Sequence, residues 1–473
     1  MDRNLVPMNL QSILESADSP LGYLRSDKTH RHTNRAWDPK LIMPQLPYEF
    51  TDWEREQLAW RDTVALLDQS HHMQAVIISG RDAKTFLTYM ACNNLTNAHP
   101  GRAFQIICAS PDGYLVGDGI LLQQDENTFA AVGPYLLNWL SYHAETLGFD
   151  VTATVDPRSP VYANGHGNRR PACRYQIQGP NAWALIEKLN GGSVADVPFF
   201  HLTEITVAGH RMEGLRHGMA GAPGLEIWGP WEARDEIRGT ILEEGEEFGI
   251  VEVGAAAYVS SAVESGWVHT VLPAIYSGPE LRGYREWMPS DEVEGLIRLT
   301  GSQERDCVSD YYRTPFDMGY GRLIHLDHEF IGRDALRARA GEAKLQKVTL
   351  AWDPDDTANL FREMLIRDGR NVKFLHLPTM SDKLDMQYFR VTANGKEVGT
   401  GHSSAYMAGE RAMLTLSLLD ESVRIGDEVL LHWGESGGGF GRYVTPATDI
   451  VPIRTTVSPA PYSRVAREEY RKI

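Results

Sequence analysis

The sequence predicts an α+β protein that ends in a β-rich domain. Strand-like and helix-like segments alternate through the first two thirds of the chain, and the pattern becomes β-rich beyond about residue 345. The 473 residues exceed what a single hydrophobic core usually supports, so two or three packed domains are expected. We place an N-terminal extension at residues 1–50, the α+β domains at 51–340 and a C-terminal β barrel at 341–473.

The predicted elements of the α+β part follow in order along the chain. Thr51 and Glu54 have the spacing of a capping box, which predicts that a helix begins there. The segment MQAVIISG (73–80) is strand-like, whereas GRDAKTFLTYM (80–90) and NAWALIEKLN (181–190) are helix-like. A mixed arrangement of helices and strands is therefore expected in this part.

Three strand-like segments dominate the C-terminal part. They are KVTLAW (347–352), YFRVTANGKEVGT (388–400) and EVLLHW (428–433), and turn-rich connections separate them. Asn394 and Gly395 form a dipeptide typical of a tight hairpin turn. This pattern predicts a separate β barrel or sandwich.

The composition limits the partners of the protein. Its 46 Lys and Arg against 63 Asp and Glu give a net charge of −17, which repels nucleic acids and anionic membranes. The four cysteines form no CxxC pair, as is typical of reduced thiols, and no stretch of 18 apolar residues occurs. We expect a cytoplasmic protein that binds neither nucleic acid nor membrane. No feature of the sequence fixes its oligomeric state.

Several catalytic motifs are missing from the sequence. It contains no GxGxxG between a strand and a helix, no GxxxxGK[ST] and no HExxH, which removes the main sequence support for Rossmann, P-loop and zincin chemistry. His71 and His72 are adjacent, so on a strand they would point to opposite faces, and no cysteine lies nearby. No metal site is predicted. The polar, basic insert SDKTHRHTNRAWDPK (26–40) is interpreted as a solvated loop or a lid.

Four segments taken together resemble one family. They are ALLDQSHHM (65–73), DGYLVGDGILL (112–122), LRHGMAGAPGLEIWGP (215–230) with VGAAAYVSSAVESGW (253–267), and DMGYGRLIHLDHEFIGRDAL (317–336). Their order and spacing resemble the aminomethyltransferase (glycine-cleavage T-protein) superfamily, most closely its tetrahydrofolate-dependent aryl O-demethylase branch, which includes the vanillate, 3-O-methylgallate and syringate demethylases. The likeness spans roughly residues 50–465, and the tail SPAPYSRVARE (458–468) fits the same branch.

The resemblance implies both a fold and an activity. The fold would consist of two ferredoxin-like α+β modules around a folate channel, followed by a C-terminal β barrel. The activity would transfer the methyl group of a methoxylated aromatic compound to N5 of tetrahydrofolate, giving a phenol and 5-methyltetrahydrofolate. The cofactor would therefore be tetrahydrofolate, and the partner a small methoxyarene of the kind released in lignin degradation.

Two acidic residues match the folate-binding positions of the superfamily. Glu226 matches the carboxylate that grips the pterin ring, and a carboxylate can accept two parallel N–H bonds from an aminopyrimidinone edge. Asp118 matches the second acid of the pair beside the reacting nitrogen, whereas Gly117 replaces the first, which argues against aminomethyl chemistry. From the residues alone, Glu226 could be a salt-bridging side chain and Asp118 a turn residue.

Tyr258 is the most specific candidate for a catalytic residue. It matches a catalytic tyrosine of the O-demethylase branch, where the aminomethyltransferases have arginine, and a phenol can donate to an ether oxygen as its C–O bond breaks. His72 matches a substrate-contacting histidine of that branch. Trp267 and Tyr320 are candidates for the aromatic substrate slot. The alternative for each of the three aromatic residues is an ordinary place in the core.

The sequence departs from the family pattern at two positions. Vanillate-type enzymes carry an arginine that binds the substrate carboxylate where this chain has Pro134, and proline offers neither charge nor an amide N–H. The tyrosine expected upstream is Met43. Either the substrate lacks that carboxylate or another base binds it. The candidate bases are Lys28, Arg31, Arg35, Arg174 and Arg216.

Two other functions stay open at this point. A folate enzyme of the same family could take its methyl group from an N-methyl or S-methyl donor, for which no new acidic cluster is visible in the sequence. A non-catalytic folate-binding assembly factor of the iron–sulfur type would carry a KGCYxGQ-like motif. This chain has EFIGRDAL (329–336) there, without a cysteine.

Overall fold

The computed structural model describes most of the chain. The described residues are 8–26, 46–70, 73, 75–155, 172–269, 271–342, 345–379, 385–436, 439–440, 444–445 and 447–470. His72, Met43 and residues 27–40 of the basic insert lie outside them.

The helices lie mainly in the first three quarters of the chain. They are α1 (Leu10–Glu15), α2 (Pro20–Arg25), α3 (Trp53–Asp62), α4 (Ala83–Met90), α5 (Leu136–Thr146), α6 (Ala182–Asn190), α7 (Arg234–Gly245), α8 (Ala255–Ser265), α9 (Arg282–Trp287), α10 (Val293–Leu296), α11 (Arg333–Arg339) and α12 (Pro354–Met364). Short 3-10 segments occur at Trp231–Ala233, Glu246–Phe248 and Val308–Tyr311, and a π-helical turn at Val465–Glu469. Among the described residues, no helix combines the length and apolar character needed to cross a membrane.

The strands extend through the whole chain. They are β1 (Val64–Asp68), β2 (Ala75–Ser79), β3 (Ala103–Ala109), β4 (Leu115–Gln123), β5 (Thr128–Val132), β6 (Thr152–Val155), β7 (Ala172–Gln178), β8 (Leu202–Val207), β9 (His210–Leu215), β10 (Gly224–Pro230), β11 (Ile250–Val253), β12 (Arg298–Thr300), β13 (Leu345–Trp352), β14 (Asp385–Gln387), β15 (Phe389–Ala393), β16 (Lys396–Met407), β17 (Ala412–Asp420), β18 (Glu428–Trp433), β19 (Gly439–Phe440), β20 (Val444–Thr445) and β21 (Val451–Pro459).

Two sheets form the α+β part. The six-stranded sheet has the order β11-β1-β7-β10-β9-β8, in which only β1 and β11 are parallel, and the five-stranded sheet β3-β4-β5-β2-β6 is antiparallel throughout. Strand β1 is apolar on both faces because both are covered. Val64 and Leu66 pack beneath α6 and α7, whereas Ala65 and Leu67 face the interior cluster that contains Tyr258.

Six strands close the C-terminal barrel in the order β13-β17-β16-β15-β18-β21. The predicted hairpin joins β15 to β16, and Asn394 and Gly395 have φ values of 50° and 76°, as a tight turn with two left-handed residues requires. The barrel packs on the sheets through a shared group of buried side chains, called here the central apolar cluster. Its members include Ala65, Leu67, Ile107, Tyr258, Val268, Met318, Met407 and Leu414. The predicted α+β class with a C-terminal barrel is confirmed.

Helix α3 starts differently from the prediction. The N-cap is Asp52, whose carboxylate accepts a hydrogen bond from the Arg55 amide at 2.8 Å, so a capping box of Thr51 and Glu54 is wrong. The Thr51 amide instead donates to Glu56 Oε1 at 2.9 Å. Glu56 Oε2 also accepts a bond from the Gly254 amide at 2.9 Å, so this buried carboxylate ties the start of α3 to the entry of α8.

A second buried carboxyl, Glu294, gives the fold a pH dependence. It lies next to Asn138, which donates to it at 2.9 Å, and to the Tyr284 hydroxyl at 3.5 Å. Burial raises the pKa of Glu294 to about 8, so the folded protein keeps this group protonated at neutral pH. The unfolded chain ionises it near the ordinary value for glutamate.

We expect the free energy of unfolding to fall as the pH rises from about 5 to about 8, by up to about 1.4 kcal/mol per pH unit from this group. The sign follows because the folded state holds the extra proton throughout this window. Glu294→Gln should make the dependence shallower, as measured by urea unfolding across this range. Glu286→Gln, which removes an exposed carboxylate from the same region, serves as the control. An unchanged slope in Glu294→Gln would show that this carboxyl titrates normally.

Candidate active site

Helix α8 holds Tyr258 in the interior. The helix follows Gly254, where a Cβ would lie 2.5 Å from the Tyr48 carbonyl oxygen, so the entry to α8 requires glycine. Tyr258 is only 4% exposed, and Gln69 Nε2 donates to its hydroxyl at 3.2 Å. Burial raises the pKa of Tyr258 above its ordinary value, so the hydroxyl keeps its proton at neutral pH and can act as a donor.

A row of polar side chains lies close to Tyr258 on one face of the six-stranded sheet. Arg174, Gln176 and Gln178 alternate along β7 and therefore share a face, and Glu226 of β10 lies opposite Gln176 in the register. Gln69, which follows β1, donates to Gln176 Oε1 at 3.3 Å. We call these five residues the polar face.

Glu226 is the charged centre of the polar face. It is completely buried and forms an ion pair with Arg174 through Oε1, while Oε2 lies 3.4 Å from His217 Nδ1. Burial by itself raises the pKa of Glu226, but Arg174 and His217 outweigh that effect and lower the pKa to about 2. The carboxylate is therefore ionised at neutral pH. Each of its oxygens retains a lone pair for a further donor.

Three buried polar atoms on this face have no hydrogen-bond partner within the described residues. They are Gln69 Oε1, Arg174 Nη2 and Gln178 Nε2. Buried polar groups are costly when unsatisfied, so such atoms mark a place where a polar ligand or ordered water would bind. The polar face thus offers a ligand one charged acceptor (Glu226), one amide acceptor (Gln69 Oε1) and two donors. The donors are Arg174 Nη2 and Gln178 Nε2.

A second polar group surrounds Asp118 on β4. The carboxyl accepts hydrogen bonds from the Tyr320 hydroxyl at 2.8 Å and from Gln105 Nε2 at 3.2 Å, and the Trp267 side chain is close enough to influence its pKa. Burial raises the pKa of Asp118, although Tyr320 and Gln105, which donate to it, act in the opposite direction. The structure therefore brings together Asp118, Tyr320 and Trp267, which the sequence predicted only as separate residues.

Glycines allow the Asp118 strand to pack tightly against the turn that contains Pro134. A Cβ at Gly117 would lie 2.6 Å from the Pro134 carbonyl oxygen, and a Cβ at Gly133 would lie 2.5 Å from the Asp118 carbonyl oxygen. These approaches leave no room for side chains. They place position 134 beside the Asp118 strand.

Tyr320→Phe tests the bond to Asp118. We expect it to lower the free energy of unfolding at pH 7 by about 1–3 kcal/mol, because a buried carboxyl loses a donor, and to raise the pKa of Asp118 further. Urea unfolding measures the first effect. Tyr89→Phe is a matched control, since the Tyr89 hydroxyl makes no hydrogen bond within the described part of the chain. Equal stability of Tyr320→Phe and the unmodified protein would contradict this role.

The structure brings the predicted site residues into two groups around one interior. Tyr258 lies beside the polar face, which contains Glu226, while Asp118, Trp267 and Tyr320 form the second group. The central apolar cluster borders both, because it contains Tyr258 as well as Ile107, which pairs with Asp118 in the register. His72, the remaining predicted residue, lies outside the described residues.

Sequence reasoning missed the three glutamines of the polar face. The signal was present in the β7 segment, where Arg174, Gln176 and Gln178 alternate with apolar residues, which is unusual for a strand in the interior. No comparable alternation of polar and apolar residues in the sequence marked Gln69. For metals, the part of the chain that the structure describes contains no group of three or more His, Cys, Asp or Glu placed to hold an ion.

Comparisons with known proteins agree with this architecture. Residues 37–271 match the family model described as the GCVT N-terminal domain. Syringate O-demethylase of Sphingobium sp. (strain NBRC 103272 / SYK-6) is 35% identical over 464 residues, covering 98% of this chain and 97% of that protein. Sesamin methylene transferase of Sinomonas sp. (strain No.22) is 25% identical over 441 residues, covering 88% of this chain and 90% of that protein.

A solved structure supports the fold independently. The crystal structure of the glycine cleavage system aminomethyltransferase T from Bartonella henselae superposes with a TM-score of 0.57 at 16% identity, over 92% of this chain and 98% of that chain. At this identity the likeness concerns the fold, whereas the sequence match over nearly the full length of syringate O-demethylase concerns the family. The chain is therefore an enzyme of the aminomethyltransferase (glycine-cleavage T-protein) superfamily and belongs to the branch that includes syringate O-demethylase.

Proposed function

We propose that this enzyme is a tetrahydrofolate-dependent O-demethylase, which moves the methyl group of a methoxylated aromatic compound to N5 of tetrahydrofolate and releases a phenol. The observation that carries the proposal is the Tyr258 hydroxyl, buried, protonated and held by Gln69 beside the charged polar face. The similarity to syringate O-demethylase supports the same reaction class.

The polar face fits the pterin ring of a folate. An aminopyrimidinone edge carries adjacent N–H donors, which an ionised carboxylate such as Glu226 can accept in pairs. The ring also has acceptors, for which Arg174 Nη2 and Gln178 Nε2 are available donors, and Gln69 Oε1 can accept another N–H. When bound, tetrahydrofolate supplies the nucleophilic nitrogen that takes the methyl group.

Tyr258 assists the departure of the aryl oxygen. As the O–CH₃ bond breaks, negative charge grows on that oxygen, and a donated hydrogen bond from a buried phenol stabilises it most in the transition state. Gln69 fixes the hydroxyl, so little reorganisation is needed when the charge appears. The central apolar cluster keeps water away, which strengthens this hydrogen bond. The released phenolate takes up one proton, which balances the proton that N5 of tetrahydrofolate loses on methylation.

Asp118, Trp267 and Tyr320 are proposed to lie at the other side of the reacting centre, with the two aromatic residues along the substrate slot. His72 stays a prediction as a second contact to the substrate. Pro134 lies beside the Asp118 strand and provides neither charge nor an amide N–H, so it offers a substrate carboxylate no partner. The proposal therefore includes methoxyphenols without a ring carboxylate among the substrates.

The test is incubation of the purified enzyme with tetrahydrofolate and matched pairs of aromatic ethers, followed by measurement of 5-methyltetrahydrofolate and phenol. Guaiacol and vanillate form one pair, because they differ only in the carboxylate. A methylenedioxy compound is included because one relative is named sesamin methylene transferase. Formation of both products from any methoxyarene supports the proposal, and the ratio within each pair shows whether the carboxylate matters. Turnover of N-methyl or S-methyl donors alone, or of no donor at all, would overturn it.

A further inference from the structure

The C-terminal segment 460–470 is packed into the protein, although it follows the last barrel strand. Ser463 is buried, Ala466 is 2% exposed and Tyr470 is 8% exposed. Tyr462 packs against the central apolar cluster. The segment therefore occupies a defined place beside the candidate active site.

Two glycines show how closely this segment approaches the functional elements. Gly221 has a φ of +61°, and a Cβ built on it would lie 2.6 Å from the Cβ of Ala466. A Cβ on Gly266, which ends helix α8, would lie 3.0 Å from the Pro461 nitrogen. The segment thus contacts both the loop 217–222 and the end of the helix that carries Tyr258.

The loop 217–222 holds three members of the polar face. Gln176 donates to the His217 carbonyl oxygen at 3.0 Å and accepts from the Met219 amide at 3.1 Å. Gln178 Oε1 accepts from the Ala220 amide at 3.1 Å. The His217 ring lies 3.4 Å from Glu226, measured from Nδ1 to Oε2.

The position of the loop consequently sets how these three side chains are presented. A shift of its backbone would move two hydrogen-bonded glutamines and one ion-paired carboxylate at once.

A series of aromatic rings extends the contact from the chain end to the same loop. The Tyr470 ring meets the Phe199 ring edge-on, with centroids 5.4 Å apart. The rings of Phe199 and Phe200 are 4.7 Å apart, and Phe200 meets His217 edge-on at 5.5 Å. Phe200 has a φ of +63°, so tertiary contacts hold it in an uncommon conformation. Edge-to-face contacts of this kind contribute stabilising free energy in addition to that from the burial of apolar surface.

We infer that the C-terminal segment is a positioning element for the polar face, with Ala466 and Tyr470 as positioning residues that set the affinity of the enzyme for tetrahydrofolate. Neither residue belongs to the polar face, so both act through the loop 217–222. This inference rests on the proposed function for the identity of the ligand. It adds a role for residues 460–470, which lie outside the polar face.

The experiment compares Tyr470→Ala with Tyr470→Phe, and adds Ala466→Val, which places bulk against Gly221. Tetrahydrofolate binding is measured by calorimetry, and hydrogen exchange of the loop 217–222 is measured without folate. We expect the Kd for tetrahydrofolate to rise at least about tenfold in Tyr470→Ala and Ala466→Val, equivalent to about 1.4 kcal/mol. The loop amides should exchange faster in both variants. Tyr470→Phe keeps the aromatic ring, so its Kd for tetrahydrofolate and its amide exchange should stay unchanged.

The kinetic constants distinguish a positioning role of these residues from a general loss of structure. With a methoxyarene substrate, the KM for tetrahydrofolate should rise while kcat at saturation stays within about threefold. Phe374→Ala, which removes a half-exposed ring from the barrel surface, is the remote control and should change neither value. If Ala466→Val fails to fold, Tyr470→Ala at the chain end decides the question.

Unchanged tetrahydrofolate affinity in Tyr470→Ala, or unchanged exchange of the loop amides, would overturn the inference and leave the proposed function intact. Absence of tetrahydrofolate binding by the unmodified protein would overturn both. The two failures are therefore distinguishable within one set of measurements.

Discussion

Tyr258→Phe should lower kcat for methyl transfer by about 10²- to 10⁴-fold while leaving tetrahydrofolate binding unchanged. The change removes one oxygen atom and keeps the ring that packs in the central apolar cluster. The variant loses the hydrogen bond that the hydroxyl accepts from Gln69 and the one that it donates to the departing aryl oxygen. The second bond is strongest when the oxygen carries most charge. The loss therefore falls on kcat rather than on binding. Single-turnover kinetics at saturating tetrahydrofolate measures it directly.

Tyr175→Phe provides a matched control within the same sheet. Tyr175 is also buried, but it neighbours Arg174 and Gln176 on β7 and therefore points to the opposite face, where its hydroxyl donates to the Arg234 carbonyl oxygen at 3.0 Å. This variant should lose some stability and keep its kcat. If Tyr258→Phe retains the turnover of the unmodified enzyme with intact folate binding, Tyr258 is a core residue and the proposed chemistry needs another donor.

The sequence was informative where a local pattern dictates the structure. The Asn394-Gly395 turn, the helix over 182–190 and the barrel strands β13, β15, β16 and β18 follow from short-range periodicity and turn chemistry, whereas β17 and β21 were not predicted. Tyr258 and Glu226 were predicted from a resemblance, and the structure places both in the interior. Their nearest partners were not predicted, since nothing local marks Gln69 as a neighbour of a residue 189 positions away.

Long-range contacts explain the misplaced helix start as well. The spacing of Thr51 and Glu54 matches a capping box, yet the carboxylate that binds the Thr51 amide belongs to Glu56. Glu56 also accepts a hydrogen bond from the Gly254 amide, 198 residues further along the chain, and this contact favours it as the partner of the Thr51 amide. The Asp118–Tyr320 bond similarly joins residues 202 positions apart. Tertiary partners of this kind override local propensity, and a single sequence carries no record of them.

Glu226→Gln should lower the free energy of unfolding by about 3–5 kcal/mol at pH 7 and abolish tetrahydrofolate binding. The substitution leaves Arg174 buried without its charged partner, with the Trp228 ring 5.3 Å away as a weaker contact. The unmodified protein should also lose stability as the pH falls from about 4.5 towards about 2, because the folded pKa of Glu226 lies below the unfolded one. Glu226→Gln should lack this part of the acid dependence. Urea unfolding at several pH values measures both effects.

The double variant Arg174→Met with Glu226→Gln separates stability from function. Replacing both members of a buried ion pair is often close to neutral for stability, so this variant should recover most of the lost free energy of unfolding. It should still bind no tetrahydrofolate, because the charged acceptor of the polar face is absent. Glu204→Gln, which breaks an exposed ion pair with Arg211, is the control and should leave stability unchanged. Recovery of tetrahydrofolate binding in the double variant would mean that Glu226 serves the fold alone, and the pterin would then have to bind elsewhere.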